Sequence, residues 1–291
     1  MGMMKKRRRL SLREGLLLAA IAACILAFAS PNAAHSQTTT FDPAHSGADD
    51  TQQRAQRWAA LQKAVFGERK VETDTASLIK LDAPPRALDA ALVPVGIELA
   101  KPVKSVWLII DNNPGPLAGH FTFGPKADAH NIKLRVRVNE YTFIHAVAET
   151  TDGKLIGTEK FVKAAGGCSA PAGADDAEAL KSMGLMKLRL LNEFSPAKPL
   201  QAQLMIRHPN FNGMQMNQVT RMYTPAQFIK TTDVTYNGGS VFHLESDISL
   251  ASDPVITFGF TPHEKGQLKV VVTDSKDQKF DQSFDVPAPV S

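Results

Sequence analysis

The residue best suited to covalent chemistry is Cys168, set in the run AAGGCSAPAGADD from Ala164 to Asp176. A thiolate is a strong nucleophile. Gly166 and Gly167 before it, with Ser169, Ala170 and Pro171 after it, offer no bulky side chain to shelter a sulfur. The local sequence therefore predicts an exposed, mobile thiol on a glycine hinge. From Val162 an extended arm would reach roughly 20 Å, at about 3.3 Å per residue. The nearest basic residue in sequence is Lys163, so the expected pKa lies near the reference of about 8.5, with little thiolate at neutral pH. Such a thiol suits a covalent carrier better than an enzyme nucleophile, which has a base beside it. The alternative is an incidental linker cysteine, or one that only makes intermolecular disulfides.

Other chemistry-bearing residues have plainer readings. His208 in RHPNFNG is either a contact for the arm or a partner, or a structural residue before a proline-containing turn. Met214, Met216 and Met222 near His208 have the thioether and imidazole chemistry of a copper site, but methionines also fill gaps in cores and loops. Asp111, Asp152 and Asp274 sit beside turn sequences and read as turn formers. His263 and Glu264 in FTPHEKGQ read as a solvated loop. No Ser, His and Asp arrangement with a recognisable context, no phosphate loop and no paired-cysteine metal site is present. The chain thus reads as a non-enzyme that needs no cofactor.

The N-terminal residues set the compartment. A basic run (MGMMKKRRRLSLREG) precedes an apolar one (LLLAAIAACILAFA) and then small residues (SPNAAHSQ), the order of a secretory signal cleaved after Ser36. The apolar run is short for a membrane span, so a soluble periplasmic mature chain is expected. Arg7, Arg8 and Arg9 also permit twin-arginine export. Residues 1–36 hold six positive charges against Glu14, so their removal takes the net charge from +4 to −1. The basicity belongs to the signal, and nucleic acid is not an expected partner. Cys24 leaves with the signal too, so the mature chain keeps one cysteine and no internal disulfide is possible.

The elements that must position Cys168 follow from periodicity. After a polar stretch from 37, Trp58, Leu61 and Val65 recur at helical spacing, with Asp49 or Asp50 to cap the helix and Gly67 to end it. From Leu78 onward come strand-length runs: ALVPVGIELA, SVWLIIDN, HFTFG, IKLRVRVN, YTFIHAVAETTDG and KLIGTEKFV. IKLRVRV alternates apolar and charged residues, as a strand with one wet face does. NNPGP and TDGK supply turns. After the cysteine segment the pattern restarts with MKLRLLNEF, LQAQLMIRH, KTTDVTYNGGSVFHLESD, DPVITFGFTP, GQLKVVVTD and KFDQSFDVP. The expected fold is all-β: two β-sandwiches in tandem, at 70–164 and 185–291, joined by a Cys-bearing Gly/Ala linker at 165–184.

These runs carry a resemblance. The first block, with LVPVGIEL, NNPGPLAGHFTF, KLRVRV and HAVAETTDGKL in order and AAGGCSAP at its end, resembles the sulfur-oxidation carrier subunit SoxY. The second, with RHPNFNG, SDPVITFGF and GQLKVVVTDSKDQKF, is similar to SoxZ. Together they resemble the fused SoxYZ-like carriers associated with quinoprotein dehydrogenases. The resemblance implies Ig-like sandwiches and a periplasmic carrier whose Cys168, hinged at Gly166 and Gly167, presents a thiol-bound sulfur cargo to partners. Those partners would be a quinoprotein dehydrogenase or Sox-type enzymes. Where the SoxY tail is a free Gly-Gly-Cys-Gly-Gly terminus, here Ser169 and Ala170 follow and the chain continues, so the arm is tethered at both ends. Fusion of the two subunits implies a monomer. The alternatives are a non-covalent accessory or assembly protein for a periplasmic dehydrogenase, and a copper-binding module.

Overall fold

The computed structural model describes residues 48–171, 176–195, 198–217 and 220–288, without the side chains of 48–50, 176 and 177. The expected signal, Cys24 and the arginine run lie outside them. The alternating runs form strands throughout. The first half contributes β1 (Val71–Thr73), β2 (Ile79–Asp82), β3 (Val93–Leu99), β4 (Ser105–Ile110), β5 (Leu117–Phe123), β6 (Ala127–Val136), β7 (Thr142–Glu149) and β8 (Leu155–Val162). The second contributes β9 (Met186–Leu190), β10 (Leu200–Ile206), β11 (Ile229–Tyr236), β12 (Gly239–Glu245), β13 (Val255–Phe260), β14 (Gly266–Asp274) and β15 (Lys279–Val286). Among the described residues two helices accompany them, α1 (Ala48–Phe66) and α2 (Asp176–Lys181). Thr51–Ser291 form one compact unit. No helix of the described residues is long and apolar enough to cross a membrane.

The fold is all-β, and the two halves share their sheets. One sheet runs β1-β8-β7-β4-β5-β12-β11-β14-β15, the other β2-β3-β6-β13-β10-β9. The seams are β5 with β12, where Phe121 faces Leu244 and Phe123 faces Phe242, and β6 with β13, where Lys133 faces Thr257 and Ala127 faces Phe260. Strands from both halves thus satisfy each other's backbone edges. One apolar core, from Val95, Leu108 and Phe121 to Phe242, Phe258 and Val270, continues beneath the seams. Phe121 and Phe242 meet at 5.5 Å between ring centroids. The hairpin signal YNGG holds: Asn237 and Gly238 both have positive φ, 46° and 78°, as the turn between β11 and β12 requires.

Helix α1 explains why β4 is buried along its whole length. Val106, Leu108 and Ile110 face the shared core, while Trp107 and Ile109 join Val147, Leu155 and Phe66 in a second cluster under the helix. Trp58, Leu61 and Val65 pack against that cluster, as their spacing predicts. Gly67, at φ 64°, ends the helix, its N–H donating to Lys63 O at 3.0 Å. Asp49 and Asp50 fall inside the first turn rather than before it. Trp58 stacks on His145 at 3.7 Å. His145 Nε2 pairs with Asp111 Oδ2 at 3.0 Å, both residues being buried. Asp111 is therefore more than the turn former the sequence suggests. A carboxylate removed from water needs a partner, and β7 supplies it.

Continuous sheets require the halves to unfold together. Phe242→Ala, which empties the seam, should lower stability by about 3–5 kcal/mol. Calorimetry should still show a single transition spanning both halves, and two separate transitions would contradict the shared sheets.

Candidate functional site

The path to Cys168 begins where β8 ends. Lys163 N–H donates to Pro85 O at 3.0 Å, and Ala87 N–H donates to Lys163 O at 3.1 Å, so the chain stays pinned beyond Val162. Gly166 then adopts φ 79° and turns the backbone. Its N–H donates to Asn139 O at 2.7 Å, and that of Gly167 to Val138 O at 3.0 Å. A Cβ on Gly167 would stand 2.0 Å from Ala90 O and 2.6 Å from Val138 O, so only glycine can lie there. Ala170 N–H closes the turn on Gly166 O at 3.0 Å, and Ser169 Oγ donates to the same oxygen at 3.2 Å. Cys168 sits at the turn's inner side.

Its environment overturns the expectation of an exposed thiol: Cys168 is 0% exposed. Burial pushes the thiol up to about 11, because a thiolate loses hydration there, and the charge of Arg137 only partly opposes this. The docked thiol is protonated at neutral pH and shielded from solvent. Its small neighbours do not supply the cover, which comes from segments far away in sequence. The extended 20 Å arm is likewise corrected, since Lys163, Gly166 and Gly167 are each hydrogen-bonded to other segments.

The RHPNFNG motif of the second half provides the clasp. Asn212 Nδ2 donates to Cys168 O at 2.7 Å, while Asn212 N–H donates to Gln215 Oε1 at 3.2 Å. Pro209 O and Asn210 O accept from Arg137 Nη2 at 3.4 and 3.2 Å. Arg137 itself departs from the alternation of KLRVRV. Lys133 and Arg135 face solvent, but Arg137, one residue past β6, is 1% exposed, and burial lowers its pKa. Asn113, in the NNPGP turn, steadies this stretch: its Nδ2 donates to Arg137 O at 2.7 Å, and its Oδ1 accepts from Asn139 N–H at 2.9 Å.

The arm contact in this motif therefore comes from Asn212, not from His208. His208 is buried beneath the motif, its Nδ1 accepting from Asn210 N–H at 3.1 Å. Its Nε2 stands 3.7 Å from Asp274 Oδ2, an ion-pair separation too long for a hydrogen bond. That oxygen accepts from Gln227 at 2.7 Å instead. Burial lowers the pKa of His208, so its ring is neutral, and its role is structural. Met222 is 70% exposed, while Met214 and Met216 are partly buried. Asp274 does form a turn, accepting from Lys276 and Gln278 N–H, and Asp152 accepts from Thr150 within its own turn. His263 and Glu264 lie in an exposed loop.

Arg137, Asn212 and Gln215 are the site residues that sequence reasoning missed. The one available signal was the Asn-rich stretch NFNG, since asparagine side chains commonly clamp local backbone.

Comparison with known proteins agrees with this division. Residues 62–168 match the family model "Sulfur oxidation protein SoxY", and residues 189–285 match "Sulphur oxidation protein SoxZ". No curated protein matches the chain. Among solved structures, the sulfur carrier protein SoxY from Chlorobium limicola f thiosulfatophilum is 23% identical over 40% of this chain and 100% of its own, with a TM-score of 0.35. Fibronectin(III)-like modules of Clostridium thermocellum CbhA are 13% identical over 72% of this chain and 94% of theirs, with a TM-score of 0.22. A Parabacteroides merdae beta-glucuronidase is 10% identical, with 72% of this chain matching 24% of that one at a TM-score of 0.23. The SoxY match ends on Cys168 itself, and the SoxZ match contains the clasp that holds it. The chain belongs to the SoxY and SoxZ sulfur-oxidation families, as a fusion of the two in tandem.

Proposed function

We propose that this protein is a periplasmic covalent carrier that holds a sulfur-containing or other thiol-bound group on Cys168. It would pass that group between partner redox enzymes, a quinoprotein dehydrogenase or Sox-type enzymes among them. The observation that carries the reading is the Gly166–Ala170 turn. It places the sole cysteine of the mature chain at the meeting of the two halves, held by a few main-chain hydrogen bonds and the Asn212 amide. Each such bond contributes on the order of 1 kcal/mol net. A lock of this strength opens on partner binding and recloses afterwards. Docked, the thiol is protonated and inert; undocked, it regains an ordinary thiol pKa and can react.

The burial of Cys168 also favours a second reading, in which the chain is an assembly protein for a periplasmic dehydrogenase and the thiol is dispensable. Intact mass of protein from its native periplasm, with and without reductant, separates the two. The carrier reading expects a reducible mass increment on Cys168 and loss of partner output in a Cys168→Ser strain. An unmodified thiol under every growth condition, with Cys168→Ser behaving as wild type, would leave only the assembly role.

The docked state has a pH signature. The thiol pKa is raised from 9.0 in a solvated cysteine to about 11 when docked. The docked form therefore binds its proton more tightly, and this contribution to docking is complete below 9.0 and disappears as pH rises towards 11. Alkylation at neutral pH should be at least about tenfold slower than in the urea-unfolded chain, with the protection lost across that window. Asn212→Ala, by removing about 1 kcal/mol, should raise the neutral-pH rate about fivefold. Gly167→Ala should abolish protection while the fold persists. Unchanged labelling in both variants would mean that the turn is not what shields the sulfur.

A further inference from the structure

His208 is held in a way that suits only one of its charge states. The residue is 1% exposed. Its Nδ1 accepts from Asn210 N–H at 3.1 Å, and a backbone N–H can only donate, so the proton of the neutral ring sits on Nε2. That Nε2 is buried with no hydrogen-bond partner, and the carboxylate oxygen it faces, Asp274 Oδ2, stands 3.7 Å away. Asp274 is itself fully buried and is fixed by Gln227 Nε2 and the N–H groups of Lys276 and Gln278.

A second proton on the ring has to go to Nδ1. Nδ1 then becomes a donor aimed at another donor, and the bond from Asn210 N–H breaks. Nε2–H meanwhile gains a charge-assisted bond to Asp274 if the ring moves by roughly 1 Å. The ring thus has two settings, on Asn210 when neutral and on Asp274 when charged.

Asn210 links that choice to the cysteine. Its carbonyl and that of Pro209 accept from Arg137 Nη2, whose own Nε is buried with no acceptor. Two residues further on, Asn212 donates to Cys168 O. The side chain of Asn210 is pinned by Ala251 O and Ile229 N–H, so a loss at its own N–H falls on the backbone that leads to Asn212.

We propose that His208 is a positioning residue for the carrier thiol, which keeps the Cys168 turn closed while its ring is neutral and opens the turn when the ring takes up a proton. This role rests on the carrier reading of Cys168 and adds a trigger to it.

The charged groups around the ring decide the direction of the pH effect. Asp274 faces it from the end of β14. Asp253, ahead of β13, accepts from His208 N–H at 3.0 Å, and its other oxygen pairs with Arg207 at 2.6 Å. Arg137 approaches the motif from beyond β6, and β15 contributes the uncharged Phe280 at 6.4 Å. Both carboxylates favour the charged ring, but burial outweighs them and lowers the pKa from 6.5. In the opened turn the ring regains its ordinary pKa. The contribution of the neutral ring to closure is therefore complete above pH 6.5 and is lost as pH falls below it.

The test is the protection of Cys168 as a function of pH. A dipyridyl disulfide remains reactive towards thiols in acid, because its rings protonate. The Cys168 sulfur attacks it, one S–S bond forms, the other breaks, and thiopyridone leaves with the electron pair and the thiol proton. The adduct is counted by the mass of the Cys168 peptide. At each pH the rate for the urea-unfolded chain is divided by that for the folded protein, which removes the pH dependence of the reagent.

Wild-type protection should fall at least about fivefold between about pH 7.5 and about pH 5, with a midpoint matching the titration of the His208 ring followed by NMR. His208→Gln, whose amide oxygen can accept from Asn210 N–H but takes up no proton, should keep its neutral-pH protection throughout. Both proteins should melt in one transition at either end of the range. Wild-type protection that is flat down to about pH 5, or that falls where the His208 ring does not titrate, would overturn the switch, as would an equal fall in His208→Gln. Absence of protection at neutral pH would remove the closed turn and this switch with it. Loss of the switch alone leaves the reducible mass increment on Cys168, and so the carrier reading, untouched.

Discussion

The site depends on one close approach, the seating of Gly167 between the carbonyls of Ala90 and Val138. No side chain fits there, since a Cβ would stand 2.0 Å from Ala90 O. The seat fixes where the turn begins, and the turn fixes where the sulfur lies. Its floor is itself built from distant pieces. Asn113 grips Arg137 O and Asn139 N–H, and the freed carbonyls of Val138 and Asn139 then accept from Gly167 and Gly166. The NNPGP turn thus supports the cysteine from more than fifty positions away in sequence.

Edge-to-edge pairing of the two halves brings the second wall into place. Because β5 pairs with β12 and β6 with β13, the stretch after β6 and the motif after β10 approach from opposite sides of the seam. Arg137 reaches the carbonyls of Pro209 and Asn210, and Asn212 reaches Cys168 O. The clasp is thus divided between a SoxY half and a SoxZ half. In a fused chain both halves are always present, so the clasp does not depend on concentration.

A buried arginine with unmatched donors beside a thiol held protonated at neutral pH is a poor arrangement for stability alone. Two other buried polar clusters hold the fold in shape. His145, with Asp111 on one ring nitrogen and Trp58 stacked across its face, anchors α1 to the sheet. His208 holds the shape of the motif that carries Asn212.

Strand periodicity, the YNGG hairpin and the Trp58, Leu61 and Val65 stripe were legible in the sequence because each depends on neighbours two to four residues apart. So was the candidate carrier atom, since Cys168 is the one cysteine among the described residues. The short strands β1 and β2 were not legible, for they are too brief to show a period. Nor was the departure of Arg137 from its strand's alternation, which belongs to the residue just past the strand end. The run AAGGCSAP determined that nothing local could cover the sulfur, and that remains true. Whether anything covers it was decided only by the tertiary structure: burial is a property of what the fold brings near, and here it brings Ala90, Val138, Arg137 and Asn212 from three separate segments.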